Sequence, residues 1–462
     1  MNQYQKSGHG NSIRNILLAV LVVGGVWYYV QPPAHKVSAN PKAEILEIGI
    51  ANAASYQISM WVPFGSTSDS VPGIAHVLEH LKFKTHDGEG FTGFDAIPGS
   101  SSNAATSYQT TRYDLNVPPE GVDKALKSLA AILLPLKITE ADLKLEKTVV
   151  QQELLQRTQS NPDTPFMQDF FSQLYHGLAY EHAPGGTQSS VASVSMQNVL
   201  DFDAAHYRDS KAFLLIYGPE LGALQRTTVE TLFPDSAIGK VSLARDFTLK
   251  RDDEELRVLP AFLEAIKFAE ISQEEISAEK TSPRARSVKL TFAKLVSGPT
   301  EWRSVLAAGI LRDAVISRLP DGLHDRISEE HRIVQSWSFS VDRLFDGMWQ
   351  INFSADVENG VDPRDVRAAF ESYFSQLATT GLSAQSFERL KNRNFLLSEW
   401  ENASSRAFSL TEDSLVFGYA KAASIMDSLQ ASKVEDVNDL LKLLQRPGRV
   451  GVALLKPEGP TQ

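Results

Sequence analysis

The sequence contains no cysteine. That excludes a disulfide scaffold, a catalytic thiol, thiolate zinc sites and iron–sulfur ligation. Any metal must therefore sit on His, Asp or Glu. Excess positive charge is also missing: 45 Lys and Arg against 56 Asp and Glu leave a net charge of −11. An acidic chain without a long basic run is poorly suited to gripping a nucleic-acid backbone, so no nucleic-acid partner is expected. The 28 Gly and 22 Pro are ordinary for 462 residues, which excludes collagen-like and low-complexity classes. With 42% hydrophobic residues, the chain has enough apolar material for at least two packed cores.

Long apolar runs are scarce. The exception is residues 16–30, uncharged and almost wholly apolar, following a polar segment that carries Lys6 and Arg14. A spanning helix needs about 20 residues, so the run is short, and tilt and snorkelling must make up the difference. Trp27, Tyr28 and Tyr29 resemble an interfacial belt on the far side. The run reads as an uncleaved transmembrane anchor, with residues 1–15 as a cytoplasmic tail and the rest of the chain outside the cytoplasm. That placement means the inner membrane, single-pass, with the folded part on the periplasmic side. The rival reading is a cleaved signal peptide with Val37-Ser38-Ala39 as its small-residue site. Residues 31–42 then form a linker stiffened by Pro32, Pro33 and Pro41.

The remainder repeats itself. Glu120-Gly121-Val122-Asp123 opens an amphipathic helix, and Ile138-Thr139-Glu140-Ala141-Asp142 carries the cap signature of a second. Asn359-Gly360-Val361-Asp362 and Leu382-Ser383-Ala384-Gln385-Ser386 repeat that order and cap chemistry. Each pair follows two alternating, strand-like runs: 55–62 and 113–117, then 335–341 and 347–353. The expected fold is α+β, with two homologous domains, each a mostly antiparallel sheet packed with helices. The boundaries are 43–245 and 246–462. The charged stretches at 252–255 and 274–286 lie at or just after the join.

The chemistry is concentrated in Gly73-Ile74-Ala75-His76-Val77-Leu78-Glu79-His80-Leu81. On a helix His76 and His80 are i and i+4, so their imidazoles leave one face, at the spacing two nitrogens need to share one zinc. Glu79 stands beside them, where a carboxylate can hold water. This is the H-x-x-E-H order, the reverse of H-E-x-x-H. Two histidines need a third protein ligand. Glu146 and Glu153 are seven apart on the second helix and share a face flanking Val149 and Val150, which suggests carboxylates turned inward. In the second repeat the equivalent positions are Leu390 and Leu397, so only the first repeat carries the site.

With these motifs the chain resembles the pitrilysin or insulinase family of zinc metallopeptidases, which includes the mitochondrial processing peptidases. The resemblance implies one zinc ion per chain on His76, His80 and Glu153, with Glu146 supporting the site and Glu79 as the catalytic base. Ser101-Ser102-Asn103-Ala104-Ala105-Thr106 is similar to the family's edge-strand segment, which implies that Asn103 and Ala104 contact a peptide substrate. Gly185-Gly186-Thr187 and His206-Tyr207 match further family positions.

One departure accompanies the match. Family members bear an Arg and a Tyr in the second domain, where this chain has Ser328 and Gln335. Arg326, Arg332 and Trp337 are the neighbours that a register shift would bring in. His324 and His331, seven apart, read as surface histidines on a polar helix. Catalysis in the family needs four such domains, and this chain supplies two. The expectation is a membrane-anchored zinc endopeptidase acting on peptides or unfolded segments. Its partner would be a related half-size chain carrying the Arg–Tyr pair, in a heterodimer; a homodimer is the competing arrangement. The alternative from another class is a non-catalytic binding subunit that retains the fold.

Overall fold

The computed structural model describes residues 42–50, 53–83, 97–208, 211–234, 236, 238–243, 271–318, 322–344, 347–400 and 403–459. The tail, the anchor at 16–30, almost all of the linker and the charged run at 252–255 lie outside these residues. Among the described residues no helix is long and apolar enough to cross a membrane.

The principal elements of the first half are β1 (Lys42–Ile50), β2 (Tyr56–Val62), α1 (Ile74–Lys82), β3 (Ser101–Thr106) and β4 (Thr111–Val117). Then follow α2 (Val122–Ile132), α3 (Glu140–Ser160), α4 (Thr164–Leu174), α5 (Met196–His206), β5 (Lys211–Gly218) and β6 (Ile238–Leu243). The second half contributes β7 (Glu275–Ser282), β8 (Lys289–Ser297), α6 (Trp302–Val315), β9 (Val334–Arg343) and β10 (Met348–Val357). It ends with α7 (Pro363–Thr380), α8 (Ala384–Trp400), α9 (Ala403–Phe417), α10 (Val434–Leu444) and β11 (Arg449–Pro457).

The two halves repeat one topology in two mixed sheets. The first runs β3-β4-β2-β5-β1-β6 and the second β9-β10-β8-β11-β7. Strand by strand the pairing sense agrees. β1 and β5 are parallel, as are β7 and β11, while the other matched pairs are antiparallel. The extra strand β6 adds a second parallel pair to the first sheet.

Local chemistry explains most elements. Thr139 caps α3 by accepting from Asp142 N, and Asp142 answers to Thr139 N, closing a capping box. Asp362 caps α7, and Ser383 accepts from Ser386 N at the start of α8. The charged segment at 275–282, just after the join, is strand β7. Its side chains alternate between exposed and half-buried, with Ser282 buried, and it is held by parallel pairing to residues 450–457.

Each sheet is buried on both faces, and each half covers the second face of the other. In β5, Ala212, Leu214 and Ile216 enter the first core, while Phe213 and Leu215 point the opposite way. There Leu410 and Leu415 of α9, from the second half, cover them together with Leu46, Ile48 and Trp61. Reciprocally, Ala293 and Leu295 of β8 are covered by Leu174, Tyr175, Leu178 and Tyr180 from the first half. Arg449, 7% exposed, fastens this contact by donating to the carbonyls of Leu174 and His176 and to Ser272 Oγ.

Candidate functional site

The site forms where α1 crosses α3. Ile74, Ala75, Val77, Leu78 and Leu81 drive α1 into the first core. Gly73 starts the helix at φ +91°, and Asp69 closes its N-terminus by accepting from Gly73 N at 2.6 Å and Ala75 N at 3.0 Å. Gly186, at φ +67°, packs backbone to backbone against that turn. A Cβ there would meet Pro72 O at 2.5 Å, so only glycine fits. On α3 the buried stripe is Leu143, Glu146, Val150 and Leu154. A carboxylate thus occupies a place on an apolar face. Of the two valines that the carboxylates flank, Val150 is buried and Val149 is 42% exposed, as on a partly buried helix.

The crossing brings together all five motif residues. His76 Nε2 lies 3.4 Å from Glu153 Oε2, and His80 Nε2 lies 3.6 Å from the same oxygen. The other ring nitrogen of His80, Nδ1, lies 3.3 Å from Glu146 Oε2. Thr106 Oγ1 donates to Glu79 Oε2 at 2.5 Å. Ligands about 2.0–2.1 Å from a tetrahedral ion lie about 3.3–3.4 Å from one another, and the two edges that Glu153 Oε2 makes with the imidazoles, 3.4 and 3.6 Å, are close to that length. The donors also fit zinc by type, two imidazoles and one carboxylate.

Electrostatics agree with that use. Burial, helped by the neighbouring His80, lowers the His76 pKa to about 4, so its imidazole is neutral and holds a free lone pair near pH 7. Burial by itself would lower His80 too, but Glu153, Glu79 and Glu146 together raise it. Glu153 is held down to about 2, chiefly by its bond to His80. Burial raises the Glu79 carboxyl, against the opposing bond from Thr106.

These groups line an open cleft of about 710 Å³. Asn103 and Ala104 line it from β3, the edge strand of the first sheet. Asn103 is exposed, whereas Ala104 is half-buried and packs on the core. Gly185 lines it opposite α3, and Tyr207 bonds Tyr113 beneath the site at 3.1 Å between hydroxyls.

In the second half, Ser328 Oγ accepts from Trp337 Nε1 at 3.2 Å, and exposed Gln335 donates to Glu358 at 3.4 Å. Arg326 lies over the Tyr373 ring and bonds Gln376, and Arg332 is exposed. The segment 325–330 is a π-helical turn. His324, its side chain 20% exposed, faces Glu329 at 3.4 Å, and His331 is exposed. Among the described residues, His76, Glu79 and His80 also offer ligand atoms close enough to share a metal, so Glu79 stands at the same centre as the His76–Glu153–His80 set.

Three contributors escape a reading of the sequence for this site. Thr106 was visible as the last residue of the Asn103–Thr106 segment, but its contact with Glu79 was not. Arg157 donates to Glu153 Oε1, and its only signal was the i,i+4 spacing. Lys82, at the end of α1, is 1% exposed and paired with Asp203 of α5. A lysine inside an apolar helix was the signal there.

Comparison with known proteins adds the following. Residues 48–183 match the profile of the insulinase family, peptidase family M16. The zinc protease PqqE of Helicobacter pylori is 26% identical over 193 residues, 40% of this chain and 44% of that protein. A probable mitochondrial-processing peptidase subunit beta of Arabidopsis thaliana is 27% identical over 177 residues, 36% of this chain and 32% of that one. Each match spans less than half of the relative's own length. In structure, a putative M16-like peptidase from Alicyclobacillus acidocaldarius aligns with TM-score 0.71 at 17% identity, over 93% of this chain and 100% of that one. The shared fold is what this last likeness shows.

Proposed function

The chain belongs to the insulinase family, peptidase family M16, and from that membership and its cleft we propose that it is a zinc-dependent endopeptidase. The carrying observation is the convergence of His76 Nε2 and His80 Nε2 on Glu153 Oε2. In this reading His76, His80 and Glu153 hold one zinc ion per chain. Zinc supplies Lewis acidity there, acidifying water and polarising a peptide carbonyl. Glu79 takes the proton of the attacking water and passes it to the leaving amine; its raised pKa, set by burial, suits the carboxylate to accepting that proton. Thr106 fixes the Glu79 oxygen it touches, leaving the other for water. Glu146 orients the His80 ring from its far nitrogen. Asn103 and Ala104, on an edge strand, hold the substrate backbone extended as an added strand.

A partner belongs to the same reading. Ser328 and Gln335 are engaged with Trp337 and Glu358 and offer no cationic clamp, which supports pairing with a related half-size chain that brings an Arg and a Tyr. Residues 16–30 would tether the assembly to the inner membrane with the peptidase on the periplasmic side.

Elemental analysis and cleavage of a quenched peptide, with and without the partner, test the proposal. His76→Ala, His80→Ala and Glu153→Ala are expected to lose zinc, and Glu79→Gln to keep zinc and lose turnover. Glu146→Gln should keep the site but weaken zinc affinity or activity roughly 10–100-fold. Full zinc in Glu153→Ala would refute the third ligand. A chelator-insensitive parent indistinguishable from Glu79→Gln would leave a binding subunit as the function.

A further inference from the structure

Among the described residues lining the cleft, Arg157 is the one lysine or arginine. It follows Glu153 by one helical turn and shares its face. Its Nη2 donates to Glu153 Oε1, whereas the imidazoles meet Oε2. The guanidinium therefore stands on the outer side of the carboxylate, one group removed from the site of reaction. The side chain is 55% exposed, so it belongs to the cleft and not to the core. Gly185 packs beside it: a Cβ at that position would lie 3.5 Å from Arg157 Nη1, an ordinary contact distance, and 3.1 Å from Leu154 Cδ2.

We propose that Arg157 is a specificity residue that captures a carboxylate of the substrate beside the scissile bond. The proposal rests on the peptidase reading. A guanidinium has five N–H donors in a rigid fork, and Glu153 holds Nη2, so donors remain for a second anion. Once a cation on Oε2 balances the charge of Glu153, that of Arg157 is free to act on the substrate. A backbone carbonyl takes one bond from the fork, whereas a carboxylate takes two in parallel. The rest of the chain favours discrimination: Glu79, Glu146 and Glu153 line the same cleft, and the net charge is −11. An acidic peptide is thus repelled except where it meets this side chain. The carboxylate comes from an acidic side chain or from a free C-terminus, which share one chemistry.

Binding separates these cases without turnover. Three labelled peptides of one length would be titrated against full-length Glu79→Gln. The first carries an internal Glu and an amidated end, the second Gln and an amidated end, the third Gln and a free end. A carboxylate peptide should bind about tenfold or more tightly than the neutral one, and whichever shows the gain identifies the source. Adding Arg157→Gln should abolish the gain with little change for the neutral peptide, and Arg157→Lys should restore part of it. Zinc content is measured on every variant. Equal affinities of the three peptides in the Arg157 protein would overturn the proposal. So would a gain that survives Arg157→Gln, or loss of zinc in that variant, which would make Arg157 a prop for Glu153. A persistent, Arg157-dependent gain in a parent that cleaves nothing would refute the peptidase reading and leave the carboxylate site standing.

Discussion

Lys82 closes the helix that carries both imidazoles, and its charge is buried. Its Nζ lies 2.5 Å from Asp203 Oδ1, donates to the Leu134 carbonyl at 2.9 Å, and stands 4.9 Å over the Tyr207 ring. Asp203 is 0% exposed and also accepts from Leu136 N at 3.0 Å and Arg208 Nε at 3.2 Å. Lys82→Met keeps most of the side-chain volume and removes the charge. Breaking a buried pair by deleting one partner costs about 3–5 kcal/mol. The two bonds that Asp203 retains place the expected loss near the lower end, about 3 kcal/mol. Asp203→Leu should cost a similar amount, because the ammonium is left with the Leu134 carbonyl as its oxygen acceptor. Lys82→Met with Asp203→Leu removes both charges, so the double variant should lose clearly less than the two single losses added, by roughly 1–3 kcal/mol. Urea unfolding of the zinc-loaded protein, followed by tryptophan fluorescence, measures each loss. Chelator competition reports whether α1 has shifted. A Lys82→Met loss under about 1 kcal/mol, or strict additivity in the double variant, would refute the argument that this pair anchors the helix carrying His76 and His80.

Other positions give sharp expectations. Gly186→Ala places a Cβ 2.5 Å from Pro72 O at φ +67°, so it should cost more than about 1 kcal/mol in thermal unfolding and weaken zinc binding by displacing the start of α1. Arg449→Ala removes three hydrogen bonds, two of them joining the halves, and two orphaned carbonyls suggest a loss of about 2–4 kcal/mol with zinc content unchanged. Asp69 is pushed up to about 7 by burial, against the backbone bonds from Gly73 and Ala75. The folded state therefore holds its proton more tightly than the unfolded chain. Its stabilisation is complete below about pH 4 and lost as pH rises through about 7. Asp69→Asn should flatten that part of a urea-midpoint profile between pH 4 and 8; an unchanged slope would assign it elsewhere.

Much of the fold was legible because its signals are local. The cap at Thr139 is a contact over three residues, and the alternation of 335–341 and 347–353 is a property of the strand itself. Strand β7 was not legible, because it alternates between exposed and only half-buried side chains and its order comes from β11, far along the chain. Which of Val149 and Val150 is buried was not legible either: α3 turns by about 100° per residue, which carries one inward and the other to the solvent.

The sequence by itself determined the half of the proposed metal centre that lies on one helix. Two histidines four apart must share a face, and a glutamate between them must stand beside that face, whatever the chain does elsewhere. It also narrowed the third ligand to a helix with carboxylates seven apart. Only the tertiary structure decided that Glu153 Oε2 meets both Nε2 atoms while Glu146 turns to the far side of His80. That choice depends on the angle at which α1 crosses α3, and on the packing of Gly73 against Gly186 that seats α1. It likewise decided that each half covers the other's sheet and that Arg157 reaches the cleft. Helical spacing acts through bonds over a turn or two. These contacts join residues tens to hundreds of positions apart, and no local periodicity records them.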